Sequence, residues 1–458
     1  MFSESRFIGT VIIGAGPTGL TLARALQRCG APFRLLEKSP IPFQGSRGKG
    51  LQPRTQEVLN DLGLLDRFLA AGADYPDLLI HLPGGQTMRQ RMDELKQPTS
   101  ATPWPNVLMV PQWRTCELLA DGLPVEYGVG LAGLTQQDGG VHITLDNGET
   151  ITTRYLVGAD GGRSTVRREL SVGFEGTTHE TEQMIVADVR VPGLDRGAWH
   201  IWPAEDRSLR LGLCPLPGTD LFQATTAAVD VPLGELVPEV EITEVVWRSL
   251  YRANIRMVSR YRVGNVFLAG DAAHVHSPAG GQGLNTGIQD AYNLGWKLAT
   301  GNDALLDTYE QERLPVAADV LGISTRLHRR TMDGAQDAMR RDDPTLHQLR
   351  LGYRSGPLAR DHRDKPGTVQ AGDRAPDAPL ATGTVFDLLR GPHATLLAFG
   401  WEGELPTSVP AHRVDEAAAA YDLDGPTLVL VRPDNYIGCV TSSIDDVTAY
   451  LRLIGVHT

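Results

Sequence analysis

Three glycines, Gly14, Gly16 and Gly19, stand in the stretch "GTVIIGAGPTGLTLARALQRCGAPFRLLEK", spaced GxGxxG and followed by an acid, Glu37. That spacing suits phosphate. The first glycine permits a tight turn, the second lets a pyrophosphate approach the backbone, and the third lets a helix pack on a strand. Pro17 and Thr18 open the helix, whose free N–H groups and positive dipole end would face the phosphates. Glu37 follows at the distance, about 20 residues, at which a carboxylate meets an adenosine ribose. An acid there accepts both hydroxyls and disfavours a 2′-phosphate, so FAD or NAD, rather than NADP, is expected. Its neighbour Lys38 is included in the candidate site.

A second constellation lies in "NVFLAGDAAHVHSPAGGQGLNTGIQDAYNLGWKLA". An apolar strand, Val266 to Ala269, ends at Gly270-Asp271, where a carboxylate can bond a ribityl or ribose hydroxyl. A glycine-rich approach then enters a helix. The backbone N–H groups of Gly283, Leu284 and Asn285 would point out of its start and could stabilise negative charge on the N1–C2=O edge of a reduced flavin. Between the two lies "TRYLVGADGGRSTVRREL", a strand ending in Asp160-Gly161. It lacks GxGxxG spacing, and on its own reads as a turn with Asp160 capping the next helix. His274 and His276 read as structural residues of the loop. No metal site is expected.

These groups need a scaffold. Val11 to Ile13 and "FRLLE" read as strands flanking a helix whose buried face carries Leu20, Leu22, Ala23 and Leu26. Ile288, Ala291, Tyr292, Leu294, Gly295 and Leu298 supply the inner face of the second helix. From 172 to 260, alternating stretches such as "MIVADVRV" and "RSLRLGLCPL" predict a mostly antiparallel sheet. Inserted between the two cofactor segments, it would form a substrate chamber. Its candidate lining residues are Trp199, Trp202, Leu211, Leu213 and Arg252, none assigned as catalytic. The fold class is α/β, with a Rossmann-type domain carrying the inserted sheet. The expected divisions are a first cofactor-binding part at 1–171, the substrate sheet at 172–260, and a second cofactor-binding part with its helices at 261–345. A linker at 346–365 and a C-terminal domain at 366–458 follow.

The totals bound the function. A length of 458 residues suggests about three domains. The net charge of −12 disfavours nucleic acid and anionic membranes as partners. Four cysteines without CxxC spacing argue against a disulfide framework or structural zinc and suit a reducing cytoplasm. The N-terminus lacks a signal-type pattern, and no run approaches the ~18 apolar residues of a membrane span.

Taken together, GxGxxG with its acid, the "DG" turn and "GDAAH…P.GGQG.N.G..DA.NL.WKLA" resemble the class A FAD-dependent aromatic monooxygenases of the para-hydroxybenzoate hydroxylase type. The resemblance covers roughly residues 8 to 330. It implies FAD as cofactor, with Gly14, Gly16, Gly19 and Glu37 on its ADP half. Arg47 would contact the cofactor near the flavin, and Gln112 would hydrogen-bond the FAD chain. Asp160 would serve both FAD and NAD(P)H, Asp271 would meet the ribitol, and Pro278 would lie beside the ring. NADPH or NADH would bind transiently, in keeping with the missing second fingerprint. O2 would react to give a flavin C4a-hydroperoxide that hydroxylates a phenolic or polyketide-like substrate. Epoxidation, Baeyer–Villiger oxidation and antibiotic inactivation remain open alternatives, as does a non-catalytic FAD-binding module. A halogenase is disfavoured because "WHIWP" only echoes the WxWxIP motif. The C-terminal segment resembles the thioredoxin-like domain of the phenol and polyketide hydroxylases. With Cys439 alone there, packing or homodimerisation is expected rather than thiol redox.

Overall fold

The computed structural model describes residues 4–6, 9–137, 139–206, 208–277, 280–332 and 343–456. Pro278 lies outside the described residues. The cofactor sheet is built on β1 (Thr10–Ile13) and β2 (Phe33–Glu37). Its order is Arg262–Val263, Val266–Leu268, Tyr155–Gly158, β1, β2 and Val125–Tyr127. Every pairing is parallel except the hairpin at the Arg262–Val263 edge. The three central strands are fully buried, which their continuous apolar runs require, since a parallel sheet is covered on both faces.

Helix α1 (Pro17–Arg28) leaves β1; α2 (Gln112–Ala120), α3 (Thr165–Glu169), α4 (Gly283–Thr300) and α5 (Asp303–Met332) follow. Helices α1 and α4 cross closely because glycine allows it. A Cβ on Gly295 would stand 2.4 Å from the Ala25 Cβ, and one on Gly287 would stand 2.4 Å from Thr18 Oγ1. Thr18 is thus wedged between Gly287 and Gly270, and ties the start of α1 to both halves of the second motif.

The second sheet comprises β3 (Asp77–His81), β4 (Phe174–Arg190), β5 (Ala198–Pro203), β6 (Leu209–Pro215), β7 (Leu221–Thr226) and β8 (Glu244–Val258). Its order is His274–Val275, β8, β4, β7, β6, β5, β3 and Thr87–Gln90. The 172–260 segment forms its centre. Parallel pairing of β5 with β3 adds two strands from residues 77–90, well upstream. One face carries Ile185, Ala187, Val189, Leu211, Leu213, Phe222 and Ala224, packed under Leu233, Leu236, Val237 and Val240. Trp202 packs there too. Leu211, Leu213 and Trp202 therefore do not line a chamber: strand side chains alternate with period two, and theirs point into this outer core. Trp199 has the opposite parity.

The C-terminal sheet has the order Arg360–Asp361, Ile437–Thr441, Thr427–Val431, Thr395–Phe399 and Ala411–Arg413. Two parallel strands are followed by two antiparallel ones and then helix Ile444–Leu453, a thioredoxin-like arrangement. Residues 400–410 join the parallel pair without a helix. Arg360–Asp361, within the segment read as a linker, pairs into this sheet. Asp415–Tyr421 is a 3-10 helix, ended by Asp422 at φ 54. Cys439 is fully buried, and burial pushes its thiol up to about 12.

A buried ionic cluster fastens this sheet to the cofactor half. Glu312 on α5 accepts from Lys297 of α4 (2.6 Å) and from Arg432 (2.5 and 3.0 Å), which also pairs with Asp434 (2.6 Å).

Candidate cofactor and active site

At the phosphate end each glycine has a distinct reason. Gly14 sits at φ 106, with Ala159 O only 2.5 Å from where a Cβ would be. A Cβ on Gly19 would meet Gly14 O at 1.9 Å, whereas nothing lies within 4 Å of one on Gly16. The open flank of Gly16 is the side from which a pyrophosphate can come. Gly16 also caps α1 with no side chain, and Leu20 makes the helix's first backbone bond, to Gly16 O (2.9 Å). The Thr18 and Gly19 N–H groups therefore precede the ladder and remain for a ligand. Glu37 accepts from the Ala15 N–H and the Ser39 N–H, both at 2.9 Å, so the glycine loop itself fixes its carboxylate at the end of β2. Lys38 beside it is exposed.

Arg47 lies over the Phe43 ring, 5.6 Å from its centroid. The next residue, Gly48, donates its N–H to Gln112 Oε1 (2.9 Å). Gln112, the first residue of α2, thus holds the loop that presents Arg47. The side chain of Asn285 accepts from the Gln52 N–H (2.8 Å) and donates to Gly50 O (2.9 Å) and Gly281 O (2.8 Å). Leu284 packs on Gly48, with Cδ1 3.2 Å from a Cβ built there. The side chains of Leu284 and Asn285 therefore anchor residues 48–52, and their backbones are what α4 offers a ligand. Gln282 gives no side-chain cap, and Thr286 N–H is the first to bond back, to Gln282 O (2.9 Å).

Gly283 brings this helix start next to Asp271, whose Oδ1 is 4.0 Å from a Cβ built on the glycine. Asp271 is solvent-accessible yet surrounded by protein. The resulting desolvation raises its carboxyl above the ordinary range, against the pull of His274 and Arg47. Tyr251 of β8 donates to His276 O (2.8 Å). Burial, then the charge of Asp271, pushes its phenol up. Arg47, Asp271 and the α4 start are thereby brought to one place.

Asp160 Oδ2 accepts from the N–H groups of Thr165 (2.6 Å) and Val166 (3.3 Å), which caps α3. Its Oδ1 is buried with no partner among the described residues. A second cap, Ser164, accepts from the Arg167 N–H (3.0 Å).

The two histidines belong to a buried network that the sequence did not reveal. His274 Nε2 meets Asp290 Oδ2 at 2.6 Å, and His274 Nδ1 meets His276 Nε2 at 2.8 Å. Asp290 also accepts from the Gly270 N–H (3.0 Å) and from Arg313 Nε (2.7 Å). Burial alone would raise the Asp290 carboxyl, but Arg313 and His274 hold it below its usual value. Burial and His274 push the His276 imidazole well below its own. The network fixes the Gly270-Asp271 turn. The available signal was an acid and an arginine, Asp290 and Arg313, within otherwise buried helix faces.

An open glycine flank, two uncapped helix starts and an orphaned buried carboxylate oxygen fit a dinucleotide cofactor with an anion-stabilised ring. A protein family described as "FAD binding domain" matches residues 8–324. A flavin-dependent monooxygenase of Mycobacteroides abscessus is 46% identical over 97% of this chain and 99% of its own length. A rifampicin monooxygenase of Streptomyces venezuelae is 34% identical over 93% and 94% of the two chains. The structure of the rebeccamycin biosynthetic enzyme RebC with reduced flavin superposes with a TM-score of 0.84 at 27% identity, covering 99% of this chain and 100% of RebC. The chain belongs to the FAD-binding-domain family of flavin-dependent monooxygenases. It is an FAD-dependent enzyme, which sets aside the non-catalytic module. Among the described residues no helix is long and apolar enough to cross a membrane.

Proposed function

We propose that this monooxygenase hydroxylates an electron-rich aromatic small molecule, phenolic or polyketide-like, with NADPH or NADH as the transient reductant and O2 as the oxygen source. The observation that carries the reading is the convergence of Arg47, Asp271 and the uncapped start of α4 next to β8 of the second sheet. Bound FAD supplies oxygen activation. Gly14, Gly16, Thr18, Gly19 and Glu37 hold its ADP half. Arg47, Gln112 and Asp271 hold the other half, and the N–H groups of Gly283, Leu284 and Asn285 stabilise negative charge at the ring. The second sheet covers the site, excludes water and orients the substrate. Relatives named for aromatic substrates support this, among them a pentachlorophenol 4-monooxygenase of Sphingobium chlorophenolicum at 31% identity. The rifampicin relative favours a second reading in which the same chemistry inactivates an antibiotic.

The same proposal divides the chain into cofactor-binding parts at 1–171 and 261–345, a substrate domain at 172–260 that takes in the strands at 77–90, and a C-terminal domain at 366–458 that takes in Arg360–Asp361. It places the enzyme in the cytoplasm, where NAD(P)H is supplied, and gives the C-terminal domain a packing or homodimer role.

The test is incubation of the FAD-loaded enzyme with NADPH or NADH, oxygen and a panel of phenols, aromatic polyketides and rifamycins, with product masses as readout. A product heavier by one oxygen atom, with reductant use that depends on that compound, is the expected result. Absence of reductant use with every compound refutes the reading.

A further inference from the structure

The face of the second sheet opposite the outer core carries a row of residues unlike the rest of it. Asp188 of β4 pairs across the ladder with Gln223 of β7, and Gln223 pairs with Cys214 of β6. Trp199 of β5 stands next in line, one residue before the His200–Leu213 pair. Directly opposed residues share a face, so the row points away from the outer core and toward the loop that carries Arg47. That loop meets it. A Cβ on Gly45 would strike the Trp247 ring at 2.1 Å, and the Gln223 amide donates to Ser46 O.

Lys49 lies over this row. Its ammonium donates to Gln223 Oε1 and stands 4.2 Å from the Trp199 ring centroid. It is 8% exposed and Trp199 is half-buried, so the pair is covered but not sealed. Asp188 is 1% exposed, and the groups that compensate its carboxyl are Ser46 and the Lys49 ammonium. A buried carboxylate is costly, and one placed beside a buried lysine calls for a role. Burial pushes Asp188 up to about 6, against the pull of Ser46 and Lys49. Burial lowers the Lys49 ammonium, against the pull of Cys214 and Asp188. Other ionisable groups nearby include Cys214, its thiol raised by burial against the pull of Lys49 and Arg196, and Tyr75, whose ring lies 6.1 Å from that of Trp199.

We propose that Lys49 receives an ionised ring hydroxyl of the substrate, a phenolate or enolate oxygen, while Asp188 acts as the buried positioning carboxylate that keeps Lys49 charged. This rests on the aromatic-hydroxylase reading and deepens it. An ammonium has three donors; Gln223 takes one and Cys214 engages a second, which leaves one for an incoming oxyanion. A flat ring would lie against the half-buried Trp199 beside it. On binding, the ring O–H bond breaks, its electron pair stays on oxygen and the proton passes to solvent. The resulting oxyanion makes the ring more electron-rich, and so more reactive toward an electrophilic oxygen.

The test titrates FAD-loaded enzyme with alizarin, a dihydroxyanthraquinone whose neutral and ionised forms differ in colour, and with its dimethyl ether. Bound alizarin is expected to ionise about one pH unit or more below free alizarin, a shift of the size an adjacent opposite charge produces. Lys49→Met should abolish the shift, Lys49→Arg should retain it, and Asp188→Asn should reduce it. Flavin content and melting temperature, followed in parallel, report whether each variant folds. An unshifted titration in the wild type, an equal shift in Lys49→Met, or equal affinity for the ether overturns the assignment while leaving the hydroxylase reading intact. If neither compound binds and no phenol stimulates reductant use, the hydroxylase reading itself falls and this inference falls with it.

Discussion

Glu312 offers the sharpest test of how the C-terminal sheet is held. Its carboxylate accepts from Lys297 (2.6 Å), Asn293 (2.8 Å) and both terminal nitrogens of Arg432 (2.5 and 3.0 Å), all fully buried. Glu312→Gln keeps the volume but removes the charge, leaving Lys297 without its direct ionic partner and Arg432 with Asp434 alone. Breaking a buried pair in this way costs about 3–5 kcal/mol, because the desolvated partner remains. Guanidinium denaturation of the FAD-loaded enzyme, followed by tryptophan fluorescence, should show that loss. Adding Lys297→Met should return part of it, since one uncompensated cation then disappears. Acid provides an independent check. The neighbouring cations hold the Glu312 carboxyl down at about 2 despite its burial. A depressed carboxyl stabilises the fold above its unfolded value near 4.5, and that contribution is lost as pH falls toward 2. The variant should therefore lose less stability than the wild type across that window. A Glu312→Gln enzyme within about 1 kcal/mol of the wild type, the range of an exposed pair, with an unchanged acid profile, would refute the view that this cluster carries the junction.

Gly19→Ala places a Cβ 1.9 Å from Gly14 O. The turn must deform, and flavin content after purification should fall at least ~10-fold, equivalent to about 1.4 kcal/mol. Asn285→Ala removes three hydrogen bonds that hold residues 50–52 and 281. FAD should bind more weakly by about 1–3 kcal/mol, measured by flavin fluorescence, and equal affinity would contradict the anchoring role. Asp188 titrates in the opposite sense to Glu312. Its carboxyl is raised from 3.8 to about 6, so its contribution is present below the lower value and declines as pH rises through the higher one. Asp188→Asn should therefore gain relative to the wild type over that interval, by about 3 kcal/mol at most, in urea melts at several pH values. Cys116, Cys214 and Cys439 are buried, and Cys29 is only partly so. A thiol reagent should label Cys29 alone in the native enzyme and all four after unfolding; rapid native labelling at Cys439 would contradict the packing around it.

The cofactor half was legible because its constraints are local. Glycine spacing, a β-branched run and a terminal acid fall within residues 10–37, where each turn needs its own residue type. Gln112 was placed by resemblance and Asn285 by its backbone N–H at a helix start, but what their side chains do was not readable. Asn285 binds a segment over two hundred positions away, and no local pattern encodes that. The Asp290–Arg313 pair was hidden for the same reason. The second sheet failed more subtly. Trp199 was chosen together with Trp202, Leu211 and Leu213, but a single position decides which side of a strand a residue faces, and composition does not encode that parity. The strands at 77–90 were missed because their pairing with β5 closes a long loop through tertiary contact alone.

That parity also divides the sheet between two selective pressures. Positions such as Leu211, Leu213, Phe222 and Ala224 answer to the outer core, where a lost methylene is felt at once. Their immediate neighbours face the other way, where a Cβ on Gly212 would stand 2.7 Å from Thr225 Oγ1 and Gln223 bonds Ser46 and Lys49, while Trp199 and Thr225 are only half-buried. On the proposed reading, an engineer would retune that face for a different ring at its half-buried positions, Trp199 and Thr225, while Gly212 and Gln223, and the residues that hold the cofactor on other elements, stay as they are. On that reading substrate range is the more adjustable variable of the architecture, and cofactor binding the more constrained one.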